Sequence, residues 1–194
     1  MNIACLAWGS LLWKTGPLLL ASPWRPDGPR LPIEFCRVGD SGELSTALSD
    51  SAELQGTWWA LLDAQDIDTA REQLREREQI DPSRPDWVGT LPGRSDGPQA
   101  VRIAQWMSGR PVDAVVWTAL PPRIDGVEGR HPDAREAVAY LRSLGGETRG
   151  HAEDYVRRTP ASLATATRRA IENGLGWTPY AAPGGPSLPG SPEA

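Results

Sequence analysis

The segment after Asp66 carries the residue whose placement says most about chemistry. At about 100° per residue, Ile67, Ala70 and Leu74 share one apolar helical stripe, while Glu72 and Glu76 point the opposite way. Glu78 follows Ile67 by eleven residues, which returns it to within about 20° of the stripe. It also follows Leu74 by four, so the two side chains are neighbours. A carboxylate is thus aimed where the pattern asks for leucine. Pro82 keeps Glu78 in the last turn, where burial and the negative end of the helix dipole both raise a carboxyl's pKa. Such a group can take a proton and later return it, the two halves of general acid–base work. The competing reading frays the helix at Glu76 and lets Glu78 reach water beside Arg75 or Arg77.

Other candidates rank below it. Glu34 stands between apolar residues in Pro32-Ile33-Glu34-Phe35, so strand alternation turns it either to a site or to water. Arg37, on the same run, could pair with Glu78 or with a substrate carboxylate, although a surface role is the simpler expectation. His131 and His151 lack Cys or Asp neighbours at metal-ligand spacing. Ser10 has no G-x-S-x-G elbow around it, and no phosphate-binding glycine loop is present. Neither metal nor cofactor is expected. Of the nine tryptophans, Trp58, Trp59, Trp106 and Trp117 fall on or beside strand runs and read as core. Trp13, beside the first strand, divides between the core and a more exposed role.

The elements that must position these residues are legible from periodicity and punctuation. Strands are expected at Ile3–Trp8, Ile33–Val38, Leu44–Leu48, Leu54–Leu62, Val101–Trp106 and Val112–Ala119, with a hairpin connection at Gly39-Asp40-Ser41-Gly42. Four helices are expected. The first is Ile67–Glu78, with Asp66 as N-cap, and the second Ala134–Leu144, stopped by Gly145-Gly146. A short third covers Ala152–Arg158. The fourth starts at Thr159-Pro160 and runs through Glu172 to Asn173-Gly174. The pattern is α+β: a mixed β-sheet or small barrel with helices packed around it, in one domain over residues 1–180. Residues 181–194 (AAPGGPSLPGSPEA after Tyr180) contain too little apolar surface to pack and are expected to be a disordered tail.

Composition excludes several classes. The formal charge of −5 opposes nucleic-acid binding, which begins with excess basic charge. No apolar run nears the ~18 residues of a membrane span, and no basic-then-apolar leader opens the chain. Cys5 and Cys36, the only cysteines, make neither a disulfide framework nor a zinc site. A soluble cytoplasmic protein, monomer or homodimer, is expected.

Two segments taken together resemble a known family. Ala7-Trp8-Gly9-Ser10-Leu11-Leu12-Trp13 resembles the YGSL(I/L)W segment of the ChaC-like branch of γ-glutamylcyclotransferases. Leu74-Arg75-Glu76-Arg77-Glu78 resembles that branch's L-x-x-R-E, and Gly28–Arg37 resembles the LPVEF-R stretch of bacterial relatives. The resemblance implies the γ-glutamylcyclotransferase-like fold and makes Glu78 the catalytic acid/base. It implies that Trp8, Gly9, Ser10 and Leu11 bind substrate, the last three mainly through main-chain groups. The implied reaction turns a γ-glutamyl amide or peptide into 5-oxoproline by attack of its own α-amine, so the partner is a small γ-glutamyl molecule. No cofactor takes part, because the nucleophile belongs to the substrate. Trp8 replaces the family's tyrosine, and Gln79-Ile80-Asp81-Pro82 stands where a Gly-Gly-Tyr often follows the catalytic Glu. These departures favour a γ-glutamyl amide or amine at least as much as glutathione. They also motivate a second reading, a non-catalytic small-molecule-binding protein on the same fold.

Overall fold

The computed structural model describes residues 1–93 and 97–181. The strands are β1 (Ile3–Ala7), β2 (Leu31–Val38), β3 (Leu44–Leu48), β4 (Leu54–Gln55), β5 (Trp58–Leu61), β6 (Val88–Leu91), β7 (Ala114–Thr118), β8 (Arg123–Ile124) and β9 (Val127–Glu128). The helices are α1 (Ile67–Arg77), α2 (Pro98–Met107), α3 (Ala134–Ser143), α4 (Gly146–Arg158) and α5 (Ala166–Leu175). The strands form two mixed sheets, in the orders β5-β1-β7-β6 and β3-β2-β8-β9, with β4 also on β2. The architecture is α+β, and the two sheets do not close into a barrel.

The centre of the first sheet is β1, parallel to β7 and antiparallel to β5. All five of its residues are buried, as a continuous apolar run requires when both sheet faces are covered. Ile3, Cys5 and Ala7 face Ala70 and Leu74 of α1. Ala4, Leu6 and Trp8 face the opposite way, toward Leu31, Ile33 and Ile103. A third cluster joins Phe35 and Leu44 of the second sheet to α3, α4 and α5. The run Leu54–Leu62 serves both sheets. It breaks at Gly56-Thr57, where the Thr57 hydroxyl donates to Pro29 O at 2.6 Å. Gly39–Gly42 makes the expected β2–β3 connection, with Gly39 N–H bonded to Glu43 O at 2.8 Å.

Three expectations are corrected. Val101–Trp106 lies in a helix, not a strand. Ala100 and Ile103 are buried three residues apart, while Val101, an inward residue on the strand reading, is 57% exposed. The sequence held the signal in Gly97-Pro98, an N-cap followed by proline at the first helical position. Helix α4 begins at Gly146, six residues earlier than expected. Thr159 does not cap the last helix. Its hydroxyl and N–H both bond Tyr155 O, closing α4, and Thr165 caps α5 by accepting from Arg168 N–H. The expected tail falls, apart from residue 181, outside the described residues.

Helix α1 ends in a Schellman motif, which settles whether Glu78 frays. Asp66 caps its start by accepting from Thr69 N–H at 2.7 Å. At its end Gln79 N–H reaches Glu76 O at 3.1 Å and Ile80 N–H reaches Arg75 O at 3.0 Å. Ile80 is buried, and its carbonyl accepts from Arg75 Nη1 at 2.7 Å. Glu78 is held as C-cap, its N–H on Leu74 O. Glycine usually fills the left-handed position that follows, yet Gln79 occupies it at φ 54°. Gln79→Gly should therefore stabilise the fold by ~0.5–1 kcal/mol, the relief of that conformation less the entropy glycine loses. Denaturant unfolding of the two proteins measures the difference.

Candidate active site

Because β1 and β7 run parallel, their C-terminal ends lie side by side, and α1 ends at the same place. A cleft of about 990 Å³ opens there. The turn after β1, the end of α1, Arg37 of β2, Thr46 of β3, Thr118 of β7 and Tyr155 of α4 all line it. Trp8, Gly9, Ser10, Leu11 and Glu78 are brought together in this cleft, and Arg37 joins them.

Gly9 leads into a single 3-10 turn, Ser10–Leu12. The first N–H groups of such a turn have no intrahelical acceptor. Among the described residues, no protein acceptor meets the N–H of Ser10 or Leu11. The need for glycine at position 9 has a concrete cause. A Cβ there would overlap the Tyr155 hydroxyl and Thr46 Oγ1. That hydroxyl is bonded to Thr46 at N and Oγ1, at 3.2 and 3.0 Å. Trp8 borders the cleft but is only 5% exposed, its ring being packed into the core behind it. Trp13 stands edge-on to Tyr155 at 5.5 Å and forms more of the wall.

The Arg77 guanidinium joins the two halves of the site. Its Nη2 donates to Ser10 Oγ at 2.8 Å and to Lys14 O at 2.8 Å, and its Nε donates to Lys14 O at 3.0 Å. Its Nη1 lies 3.3 Å from Glu78 Oε1. One planar fork thus holds Glu78 Oε1 and Ser10 Oγ within roughly 9 Å of each other. Thr118 Oγ1 donates to the same Glu78 oxygen at 3.3 Å. Glu78 Oε2 has no protein partner among the described residues. The Glu78 side chain is 15% exposed. Burial pushes its pKa above the ordinary carboxyl value, against the opposing pull of Arg77, the Thr118 hydrogen bond and Arg37. The result is a carboxyl biased toward its neutral form yet beside a cation that keeps ionisation within reach.

Arg37 is committed elsewhere. It makes two contacts with Glu128, at 2.6 and 3.2 Å, and a third with Pro121 O at 2.7 Å. It is 8% exposed, so it is no surface residue. Glu34 does not line the cleft. Its carboxylate accepts from Phe35 N–H at 2.8 Å and Thr167 N–H at 3.3 Å, the latter in the first turn of α5. A buried carboxylate at a helix start is a structural cap. Arg77, Thr118, Thr46 and Tyr155 were not assigned roles from sequence. Only Arg77 had a signal, as the fourth letter of the L-x-x-R-E match. Tyr155 lies on a helix far along the chain, and nothing local marks it.

No group of three or more His, Cys, Asp or Glu side chains suited to a metal ion occurs among the described residues. No helix among them is long and apolar enough to cross a membrane. No protein-family model, curated protein or solved structure matches the chain.

The close approach at Gly9 can be measured. Gly9→Ala should cost roughly 1–3 kcal/mol through overpacking. Tyr155→Phe in the same chain should recover part of that loss, because it removes one of the overlapping atoms. A double-mutant cycle by denaturant unfolding should therefore show coupling between positions 9 and 155.

Proposed function

We propose that the protein is a γ-glutamyl cyclotransferase with the fold of that family, cleaving a γ-glutamyl amide or peptide to 5-oxoproline and a free amine. One observation carries the reading: Glu78, its pKa raised by burial, shares the cleft with the Gly9-Ser10-Leu11 turn and is tied to it through Arg77. The match of Trp8–Trp13 and Leu74–Glu78 to the ChaC-like segments supports it independently.

In this reading the ionised Glu78 takes a proton from the substrate's α-ammonium. The freed amine attacks the γ-carbonyl, forming the ring C–N bond. The amide C–N bond then breaks as Glu78 returns its proton to the departing nitrogen. The re-ionised Glu78 takes the remaining extra proton from the ring nitrogen, and that proton leaves on the released amine as its ammonium. One carboxylate suffices because the transfers follow one another. The N–H groups of Ser10 and Leu11 are suited to the oxygen that gains charge at the γ-carbon. Arg77 keeps the turn and the carboxylate in register, and Thr118 orients the carboxylate.

Glu78→Gln is expected to lower 5-oxoproline formation on the order of 10²–10⁴-fold, the worth of a positioned acid/base. Unchanged turnover would refute the mechanism, and ligand binding without product across γ-glutamyl amides would point to a binding protein. Wild-type kcat/KM should fall on the acid side through a pKa above the ordinary glutamate value of 4.5, since the free enzyme needs Glu78 ionised. Stability should show the converse. A carboxyl whose folded pKa is raised contributes stability below its unfolded pKa and loses that contribution as pH rises through the folded one. The Tm of Glu78→Gln should therefore exceed wild type at pH ~8 and approach it toward pH ~4. Calorimetry at several pH values tests this.

A further inference from the structure

The reaction above employs Glu78 and leaves a second carboxylate of the cleft without a task. Glu43 closes the β2–β3 hairpin, its carbonyl bonded to Gly39 N–H. Its side chain folds back over Gly39, where a Cβ would overlap the carboxylate. Both residues line the cleft. Glu43 Oε2 is shielded from solvent and meets no hydrogen-bond donor among the described residues. Three other carboxylates of the cleft are already paired: Asp40 with Arg123, Glu128 with Arg37, Asp154 with Arg158. A carboxylate oxygen taken from water without a donor is costly, and a donor from the ligand removes the cost.

The chemistry of the substrate decides which donor that is. The α-ammonium must go to Glu78, where it loses its proton. The glutamyl group's other charge is a carboxylate, which Glu43 repels. A cation for Glu43 must then come from the leaving amine. The cleft lining carries seven carboxylates against five Lys and Arg side chains, a balance that favours such a cation. Glu78 and Glu43 line the same cleft, so a ligand that fills it meets both carboxylates.

We propose that Glu43 binds an ammonium group on the leaving amine, so that the preferred substrate is the γ-glutamyl amide of a diamine. This rests on the cyclotransferase reading. In the reaction the α-nitrogen bonds the γ-carbon, the amide bond breaks and the two protons that the α-ammonium loses pass through Glu78 in turn to the departing nitrogen. The diamine leaves with its distal ammonium unchanged. A leaving group that ends in a carboxylate, as a peptide does, brings like charge to Glu43.

The test compares three γ-glutamyl amides of similar length, made from putrescine, butylamine and γ-aminobutyrate. Release of 5-oxoproline should rank them in that order, with kcat/KM for the first about tenfold above the second, as one charge-assisted hydrogen bond allows. Glu43→Gln should bring that ratio close to one. Both amides are read on one preparation, so any loss of folded protein cancels. A wild-type ratio near one, or a ratio that Glu43→Gln leaves unchanged, overturns the proposal while cyclisation stands. If no amide yields 5-oxoproline, calorimetric binding of the same three decides. Tighter, Glu43-dependent binding of the putrescine amide keeps the cation subsite and refutes cyclisation. Equal binding, or none, refutes both.

Discussion

The Arg77 guanidinium ties the end of a helix to the turn at the end of a strand, and the cleft takes its shape from that connection. The fork reaches Ser10 Oγ, Lys14 O and Glu78 together. Arginine suits this position because its donors diverge from one rigid plane, whereas a lysine ammonium would serve fewer partners from a flexible stem. Its charge matters as much as its geometry. Without a cation beside it, a carboxyl buried as Glu78 is would hold its proton still more firmly.

The same balance runs through the rest of the site. Burial raises the Glu78 pKa, and three neighbours lower it by smaller amounts. Beneath Glu78 the Cys5 thiol is pushed up by its own burial and, to a lesser extent, by the nearby carboxylate, so it stays a neutral core group. Arg37 and Glu128 neutralise each other at the far wall. Close packing fixes the remaining geometry: Gly9 admits the Tyr155 hydroxyl, and Gly39 admits the Glu43 carboxylate.

Helix α1 shows how local and tertiary forces share the work. Asp66 caps one end and the Schellman bonds close the other. Ala70 and Leu74 press the stripe against β1 and β7, leaving the next inward position at the mouth of the cleft instead of in the core. A leucine at position 78 would extend the core; a glutamate there is a polar group placed at the core's edge.

The sequence by itself determined that Glu78 falls on the inward stripe of α1, because helical periodicity is a property of the backbone; that the helix holds together as far as Glu78 was decided by the Schellman bonds and the burial of Ile80. It determined most strands of both sheets and the α+β character for the same reason: period-two alternation and turn residues act locally. It also determined where α1 starts, since an Asp N-cap bonds within its own first turn. Only the tertiary structure decided what depends on neighbours distant in the chain. Val101–Trp106 alternates like a strand, but burial of Ala100 and Ile103 on one face, with Ile103 packed against the sheet, made it a helix. Thr159, the expected cap of the last helix, closes α4 instead, and Thr165 caps α5. Strand alternation left Glu34 facing either a site or water, and the start of α5 takes it as a cap instead. Arg77, Thr118 and Tyr155 entered the site from three separate elements. No spacing rule within a segment can report a meeting that chain folding alone brings about.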